Sequence, residues 1–137
     1  MTGGTEPVNV ARLLRRTAER MPDKLGALQP AGSDGRGGTR YLSWTFGELD
    51  RQSDRAAHGL DRAGISRGVK TVLMVRPSLD FFALVFALFK VGAVPVVVAP
   101  GMGLARMLDC LEETRPEGFI GISLAQAVRI AYRNRCK

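Results

Sequence analysis

The sequence predicts an α/β fold in which a parallel sheet is flanked by helices. Two short runs, "TVLMV" (71–75) and "VPVVVA" (94–99), are apolar without interruption, as expected for parallel strands that are buried on both faces. A third run, "GFIGI" (118–122), follows later in the chain. Helical patterns separate these runs, and the alternation of strand and helix favours right-handed crossovers between parallel strands.

Residues 9–21 show the pattern of an amphipathic helix. Asn9 precedes the helix, arginines occupy its polar side, and Pro22 ends it. The predicted apolar stripe consists of Val10, Leu13, Leu14, Ala18 and Met21. "KLGALQ" and "TRYLSW" then predict a hairpin whose connection, Pro30 to Gly38, is long and mobile.

The stretch "WTFGELD" carries the local signals that begin a second helix. Thr45 and Glu48 have the spacing of a capping box, and Trp44 and Leu49 occupy the positions of a hydrophobic staple. Gly64 can adopt the left-handed backbone conformation that commonly ends a helix. The predicted apolar stripe is Phe46, Leu49, Ala56, Ala57 and Leu60, whereas His58 shares the solvated face with Asp54, Arg55 and Arg62.

Residues 78–103 form the most apolar stretch of the chain. Ser78 can cap a helix that Gly92 ends, and the nine uncharged residues between Asp80 and Lys90 are too few for a membrane span, which needs about 20. A core helix is therefore predicted, followed by a buried strand in which Pro95 lies near the start. A third helix is expected to pack through Leu104, Met107, Leu108 and Leu111, and a last one to begin near Leu124.

Two glycine-containing turns invite a nucleotide-binding interpretation. "APGMGLAR" has the strand-turn-helix context of a phosphate site, but Arg106 stands where a dinucleotide fingerprint requires glycine or alanine. "GVKT" (68–71) echoes a Walker A loop, yet it leads into a strand. Both are predicted to be tight turns, and Met102 either lines a hydrophobic pocket or packs into its own domain.

The composition limits the function classes. The net charge of +7 is divided into +2 for residues 1–24, +3 for 25–103 and +2 for 104–137, so no concentrated basic face for nucleic acid is predicted. One histidine and two cysteines cannot supply a usual four-ligand zinc site or a serine-histidine triad. Neither a metal site nor a set of catalytic residues is expected, and without a secretory signal the predicted location is cytoplasmic.

Three stretches in order carry a resemblance to a known family: "NVARLLRRTAERMPDK" (9–24), the long segment from "YLSWTFGELD" to "VGAVPVVVAP" (41–100), and "LDCLEETRPEGFIGI" (108–122). They resemble the start of an adenylate-forming enzyme of the acyl-CoA synthetase, luciferase and peptide-synthetase superfamily. Residues 76–103 are most similar to the olefin-biosynthesis branch, the β-lactone synthetases and fatty-acid ligases. Ala99 replaces an aspartate and Ser123 a proline that are common there.

This resemblance implies a partial N-terminal subdomain of the adenylate-forming fold over residues 1–128, followed by a basic tail, 129–137, unlike the family. The intact relative would use ATP and magnesium to activate a fatty acid or β-hydroxy acid, forming an acyl-CoA or a β-lactone. The ATP-binding loop and the lysine of the C-terminal domain are missing here, so no catalytic or cofactor-binding residue is carried over and the chain is expected to be inactive alone.

Ligands of parallel sheets collect beyond the carboxyl ends of the strands. The predicted pocket-facing residues are therefore Arg76, Pro77, Ser78, Pro100, Gly101, Met102 and Gly103. The expected partners are the acyl substrate and the missing remainder of the enzyme, with no nucleic acid and no membrane span. The alternative is a non-enzymatic interaction module that binds a partner through a sheet edge or through the basic tail.

Overall fold

A computed structural model describes residues 8–121, 130, 132 and 133. Between residues 8 and 121 the chain forms four α-helices and five strands, with one short 3-10 helix at Pro100–Met102. The elements are α1 (Ala11–Arg20), β1 (Leu25–Ser33), β2 (Thr39–Thr45), α2 (Phe46–Arg62), β3 (Lys70–Met74), α3 (Leu79–Val91), β4 (Val94–Val97), α4 (Leu104–Thr114) and β5 (Gly118–Gly121).

The α/β prediction is confirmed by a three-stranded sheet with the order β4-β3-β5. β3 pairs in parallel with both neighbours, as the crossover connections require. Val72 and Met74 pack against α4 on one face of the sheet, while Leu73 packs against α2 and α3 on the other. Helices therefore cover both faces of β3, which explains its uninterrupted apolar sequence.

The strand β4 is more open than its sequence predicts. Val94 and Val97 are 46% and 59% exposed, because β3 is the only strand that pairs with β4 among the described residues. The N–H groups of Val94 and Val98 donate to carbonyls on the β3 side. Pro95, one position along, directs its nitrogen away from β3, so its missing donor costs no ladder bond.

The strands β1 and β2 form the predicted antiparallel hairpin, which is a separate sheet. Its connection is shorter than expected, because β1 continues to Ser33. Asp34 closes the turn: its Oδ1 accepts hydrogen bonds from the N–H groups of Arg36 (2.8 Å) and Gly38 (2.9 Å). A nine-residue loop is thus replaced by strand pairing and a turn that a single carboxylate organises.

The helix α1 forms where it is predicted but with a different buried face. Ala11, Leu14 and Ala18 are buried, whereas Val10, Leu13 and Met21 are 47%, 52% and 39% exposed. The predicted stripe is therefore wrong for three of its five members. The reason is tertiary: Leu14 packs with Leu49 of α2 and Ala83 of α3, so the side of α1 that faces these two helices is the buried one.

Local chemistry fixes the ends of α2 and α3 as predicted. Thr45 and Glu48 form the capping box, with Glu48 N–H to Thr45 Oγ1 at 3.2 Å and Thr45 N–H to Glu48 Oε2 at 2.9 Å. Ser78 Oγ accepts from the N–H of Phe81 at 3.1 Å at the start of α3. Gly64 and Gly92 end the two helices with φ of 83° and 75°, which favours glycine.

A charged cluster joins α3 to α2 inside the structure. Lys90 Nζ lies 2.7 Å from Asp50 Oδ1 and 2.7 Å from Asp54 Oδ1, and it also donates to the carbonyl of Asp50. The side chains of Lys90 and Asp50 are only 14% and 16% exposed. Asp54, predicted to lie on the solvated face of α2, is half-exposed and takes part in this cluster.

The helix α4 buries Met107 and Leu111, as predicted, but Leu104 is 54% exposed, so the expectation for that residue is wrong. The last helix, predicted from about Leu124, falls largely outside the described residues. Across the described part of the chain, none of the helices combines the length and the apolar character that crossing a bilayer requires.

Candidate functional site

The two predicted loops follow neighbouring strands of the parallel sheet. Residues 76–78 join β3 to α3, and residues 100–103 follow β4 as a 3-10 turn that ends at Gly103. Because β3 and β4 are parallel and paired, both loops lie at the same edge of the sheet, where its strands end. This is the edge at which parallel sheets collect their ligands.

The first loop is held in place from two sides. The hydroxyl of Ser78 accepts from the Phe81 N–H as the cap of α3. The side chain of Gln29, on the hairpin, accepts from the N–H of Leu79 at 3.0 Å. Arg76 and Pro77 remain exposed. Ser78 thus has a structural task, and Arg76 is the group of this loop that is free to face solvent or a ligand.

The second loop depends on a glycine and packs partly against α4. Gly103 adopts φ 85° and ψ 145°, a conformation that side-chain-bearing residues rarely adopt. Met102 Sδ lies 4.0 Å from Cys110 Sγ on α4, and Met102 is 36% exposed. Of the two interpretations of Met102, packing into its own domain is the one that its contact supports, although the side chain retains an exposed portion.

An open cleft of about 590 Å³ lies near the first loop, between the hairpin, α2, α3 and the ends of β3 and β5. Val75 and Asp80, on either side of residues 76–78, both line it, whereas Arg76, Pro77, Ser78, Gly101, Met102 and Gly103 are not among its lining residues. Most of its walls are apolar. The lining residues are Trp44, Gln52, Arg55, Ala56, Val75, Asp80, Ala83, Leu84, Ile120 and Gly121.

Sequence reasoning missed the polar members of this cleft. Asp80 is the single polar residue between Leu79 and Phe89, and Trp44 is the one tryptophan of the chain. These isolated signals could have marked both residues as unusual. What they could not indicate is that α2, α3 and the hairpin bring Trp44, Arg55 and Asp80 to one cavity, since 36 residues separate the first from the last.

His58 is exposed on α2, as predicted, and no group of three or more His, Cys, Asp or Glu side chains within the described ranges could hold a metal ion. Asp34 is the described carboxyl with a clearly displaced pKa, which the N–H groups of Arg36 and Gly38 hold below the ordinary value of 3.8. It lies in the hairpin turn, where its role is to organise the backbone.

Comparisons with known proteins give the family. The model of the AMP-binding enzyme family matches residues 14–135. An olefin β-lactone synthetase of Xanthomonas campestris is 48% identical over 88% of this chain and 22% of its own length. One from Stenotrophomonas maltophilia is 46% identical over 93% of this chain and 23% of its own length. The chain thus spans less than a quarter of these relatives.

Solved structures agree on the fold. The N-terminal domain of FACL13 from Mycobacterium tuberculosis superposes with a TM-score of 0.76 at 21% identity, over 92% of this chain and 30% of that one. O-succinylbenzoate coenzyme A synthetase from Bacillus subtilis gives a TM-score of 0.69 at 20% identity, over 80% and 26%. The capped helices, the parallel sheet and the match over residues 14–135 lead to one conclusion: this chain belongs to the AMP-binding enzyme family, the adenylate-forming ligases.

Proposed function

We propose that this chain is the leading part of an ATP-dependent ligase that activates a fatty acid or β-hydroxy acid as its acyl adenylate. The observation that carries the proposal is the identity of 48% along 88% of this chain, confined to 22% of an olefin β-lactone synthetase. In the intact enzyme the activated acyl group would pass to coenzyme A or, in the branch that the identity favours, to the β-hydroxyl of the same acid to close a β-lactone.

Within this proposal the chain supplies scaffold and one wall of the acyl pocket. The apolar cleft and the loops at 76–78 and 100–103 lie where substrates of parallel sheets bind. Within the described ranges no group of three or more His, Cys, Asp or Glu side chains could hold a metal ion, and no chemical step is assigned to this chain. The match to the family continues to residue 135, and the predicted boundary at residue 128 stays a prediction.

A chimera tests the proposal directly. The matching leading segment of the Xanthomonas campestris β-lactone synthetase is replaced by this chain, and pyrophosphate exchange is measured with long-chain and β-hydroxy fatty acids. We expect the chimera to retain exchange, because 48% identity over 88% of this chain indicates that the two segments share a fold. A folded chimera without exchange for any fatty acid would contradict the role as a scaffold of this ligase.

The isolated chain provides the complementary test. We expect it to show no exchange with any of these acids, because the chain spans only 22% and 23% of the β-lactone synthetases that it matches. Turnover by the isolated chain would refute the proposal that it is an inactive part of the enzyme. The non-enzymatic alternative predicts instead a partner that binds the isolated chain more tightly than it binds the chimera.

A further inference from the structure

Arginines and apolar side chains are exposed together on α1 and at Val10 and Met21, the residues that flank it. Val10, Leu13 and Met21 are 47%, 52% and 39% exposed, and Arg12, Arg15, Arg16 and Arg20 are all exposed. We call these seven residues the α1 surface. Four cations stand here against one acid of the same helix, Glu19. Three apolar side chains are thus exposed to solvent close to four positively charged ones.

The helical geometry places three members of the α1 surface side by side. At about 100° per residue, Leu13, Arg16 and Arg20 fall on adjacent rows that face away from the buried Leu14 and Ala18. Arg15 Nε is 3.9 Å from Glu19 Oε1, with both side chains more than two-thirds exposed, so this ion pair is weak and leaves the basic character of the surface intact.

A groove beside α1 continues the same chemistry. It has a volume of about 480 Å³ and is lined by Arg12, Arg67 and Lys90 together with the apolar Val8 and Val91. Lys90 already donates to Asp50 and Asp54, so it is not counted as a cation for a ligand. Arg12 and Arg67 are the remaining cations of the groove, and beside Val8 and Val91 they match a ligand that carries phosphate next to hydrocarbon.

We propose that the α1 surface binds the face of an anionic phospholipid bilayer. Arginines at this surface would contact lipid phosphates through their long side chains, while Leu13, Val10 and Met21 enter the boundary between headgroups and acyl chains. A nucleic acid would satisfy the arginines but gives half-exposed aliphatic side chains no apolar phase to enter, and for this reason the bilayer fits the surface better.

Vesicle flotation tests the proposal with the full chain, because bound protein rises with the lipid while aggregated protein sinks. The probes are phosphatidylcholine vesicles with and without about 30% phosphatidylglycerol, the anionic lipid supplying the attraction. We expect flotation with the anionic vesicles and a decline as salt is added. Absence of flotation with anionic vesicles, or equal flotation with neutral ones, would overturn the proposal.

Variants separate the two contributions. Neutralising one arginine near a membrane weakens partitioning about fivefold, so Arg16→Gln with Arg20→Gln should lower it about 25-fold. Leu13→Ser should lower it on the order of tenfold, since it removes inserted CH₂ groups. Matched controls are Leu28→Ser, at a leucine 50% exposed on the hairpin, and Arg106→Gln, at an exposed arginine of α4; both should float like the unchanged chain.

Two further results would overturn the proposal. One is an equal loss of flotation in the control variants, which would mean that charge or hydrophobicity acts without regard to place. The other is a chain that does not bind vesicles but does bind duplex DNA or a polyglutamate peptide, with an affinity that Leu13→Ser leaves unchanged. That result would make the α1 surface a general site for polyanions. Far-UV circular dichroism confirms that each variant is folded, as expected for exposed positions.

Discussion

Replacing Lys90 by methionine tests whether the charged cluster between α2 and α3 stabilises the fold. The substitution keeps the length of the side chain and removes its ammonium group, which contacts Asp50 Oδ1 and Asp54 Oδ1 at 2.7 Å. Asp50, 16% exposed, would then keep a carboxylate that is largely withdrawn from water and has lost its cation. A partly buried charge without a partner is costly.

The magnitude follows from the exposure of each partner. Losing the bond to the shielded Asp50 should cost about 2 kcal/mol, within the range for hydrogen bonds to charged groups. The bond to Asp54, whose side chain is 46% exposed, should add about 0.5 kcal/mol, as solvent-screened pairs do. The free energy of unfolding should therefore fall by about 2.5 kcal/mol, which is roughly a 60-fold change in the unfolding equilibrium.

Urea unfolding followed by circular dichroism measures this change. Adding Asp50→Asn to Lys90→Met should recover about 1 kcal/mol, because the unpaired charge causes much of the loss. The control is Arg15→Met, which removes a 3.9 Å pair with both partners exposed and should change stability by less than about 0.5 kcal/mol. The reasoning would be refuted if the Lys90→Met variant unfolded at the same urea concentration as the unchanged chain. It would also be refuted if Asp50→Asn changed the free energy of unfolding equally in the presence of Lys90 and in the presence of Met at that position.

Three further predictions concern the backbone and the sheet edge. In the same urea assay, Gly92→Ala should lower the free energy of unfolding by about 1–2 kcal/mol, because a residue with a side chain is strained at a φ of 75°. Gly59→Ala, in open space within α2, should raise it by about 0.5–1 kcal/mol. Equal effects of the two substitutions would contradict this reasoning. The pKa of the Asp34 carboxyl, measured by NMR titration, should lie below 3.8. Its contribution to stability is therefore present above pH 3.8 and is lost as the pH falls through the lower pKa of the folded state. A titration midpoint above 3.8 would contradict this prediction. β3 is the only strand that pairs with β4 among the described residues, so the other edge of β4 should let copies of the chain associate. Val97→Lys, at a residue 59% exposed on β4, should reduce this self-association in analytical ultracentrifugation, and an unchanged sedimentation profile would argue against edge pairing.

Much of the fold could be predicted because its signals are local. The side chains of Thr45 and Glu48, three residues apart, each accept a hydrogen bond from the other residue's backbone N–H. Ser78 and Gly92 end α3 through similarly short-range interactions. The parallel sheet followed from chain order, since a strand that returns after a helix can pair in parallel with its predecessor. For these features, neighbouring residues carry the information.

The candidate site was only partly predictable. The sequence indicated which sheet edge to examine, and the loops at 76–78 and 100–103 do lie there. It did not indicate the cleft of Trp44, Arg55 and Asp80, because three separate elements create this cavity only after they pack. The sequence also assigned Ser78 to the pocket-facing set, which stays a prediction, and it indicated correctly that this hydroxyl caps α3.

What the sequence by itself determined is the class of fold, the ends of the central helices and the family, since caps, apolar runs and motif order are properties of the chain. Only the tertiary structure decided which side of α1 is buried, how open β4 is, and that Lys90 pairs with Asp50 and Asp54 across 40 and 36 residues. The physical reason is that burial and charge pairing depend on which surfaces meet. A helical pattern shows which face of a helix is apolar, but whether that face is buried depends on the elements that pack against it.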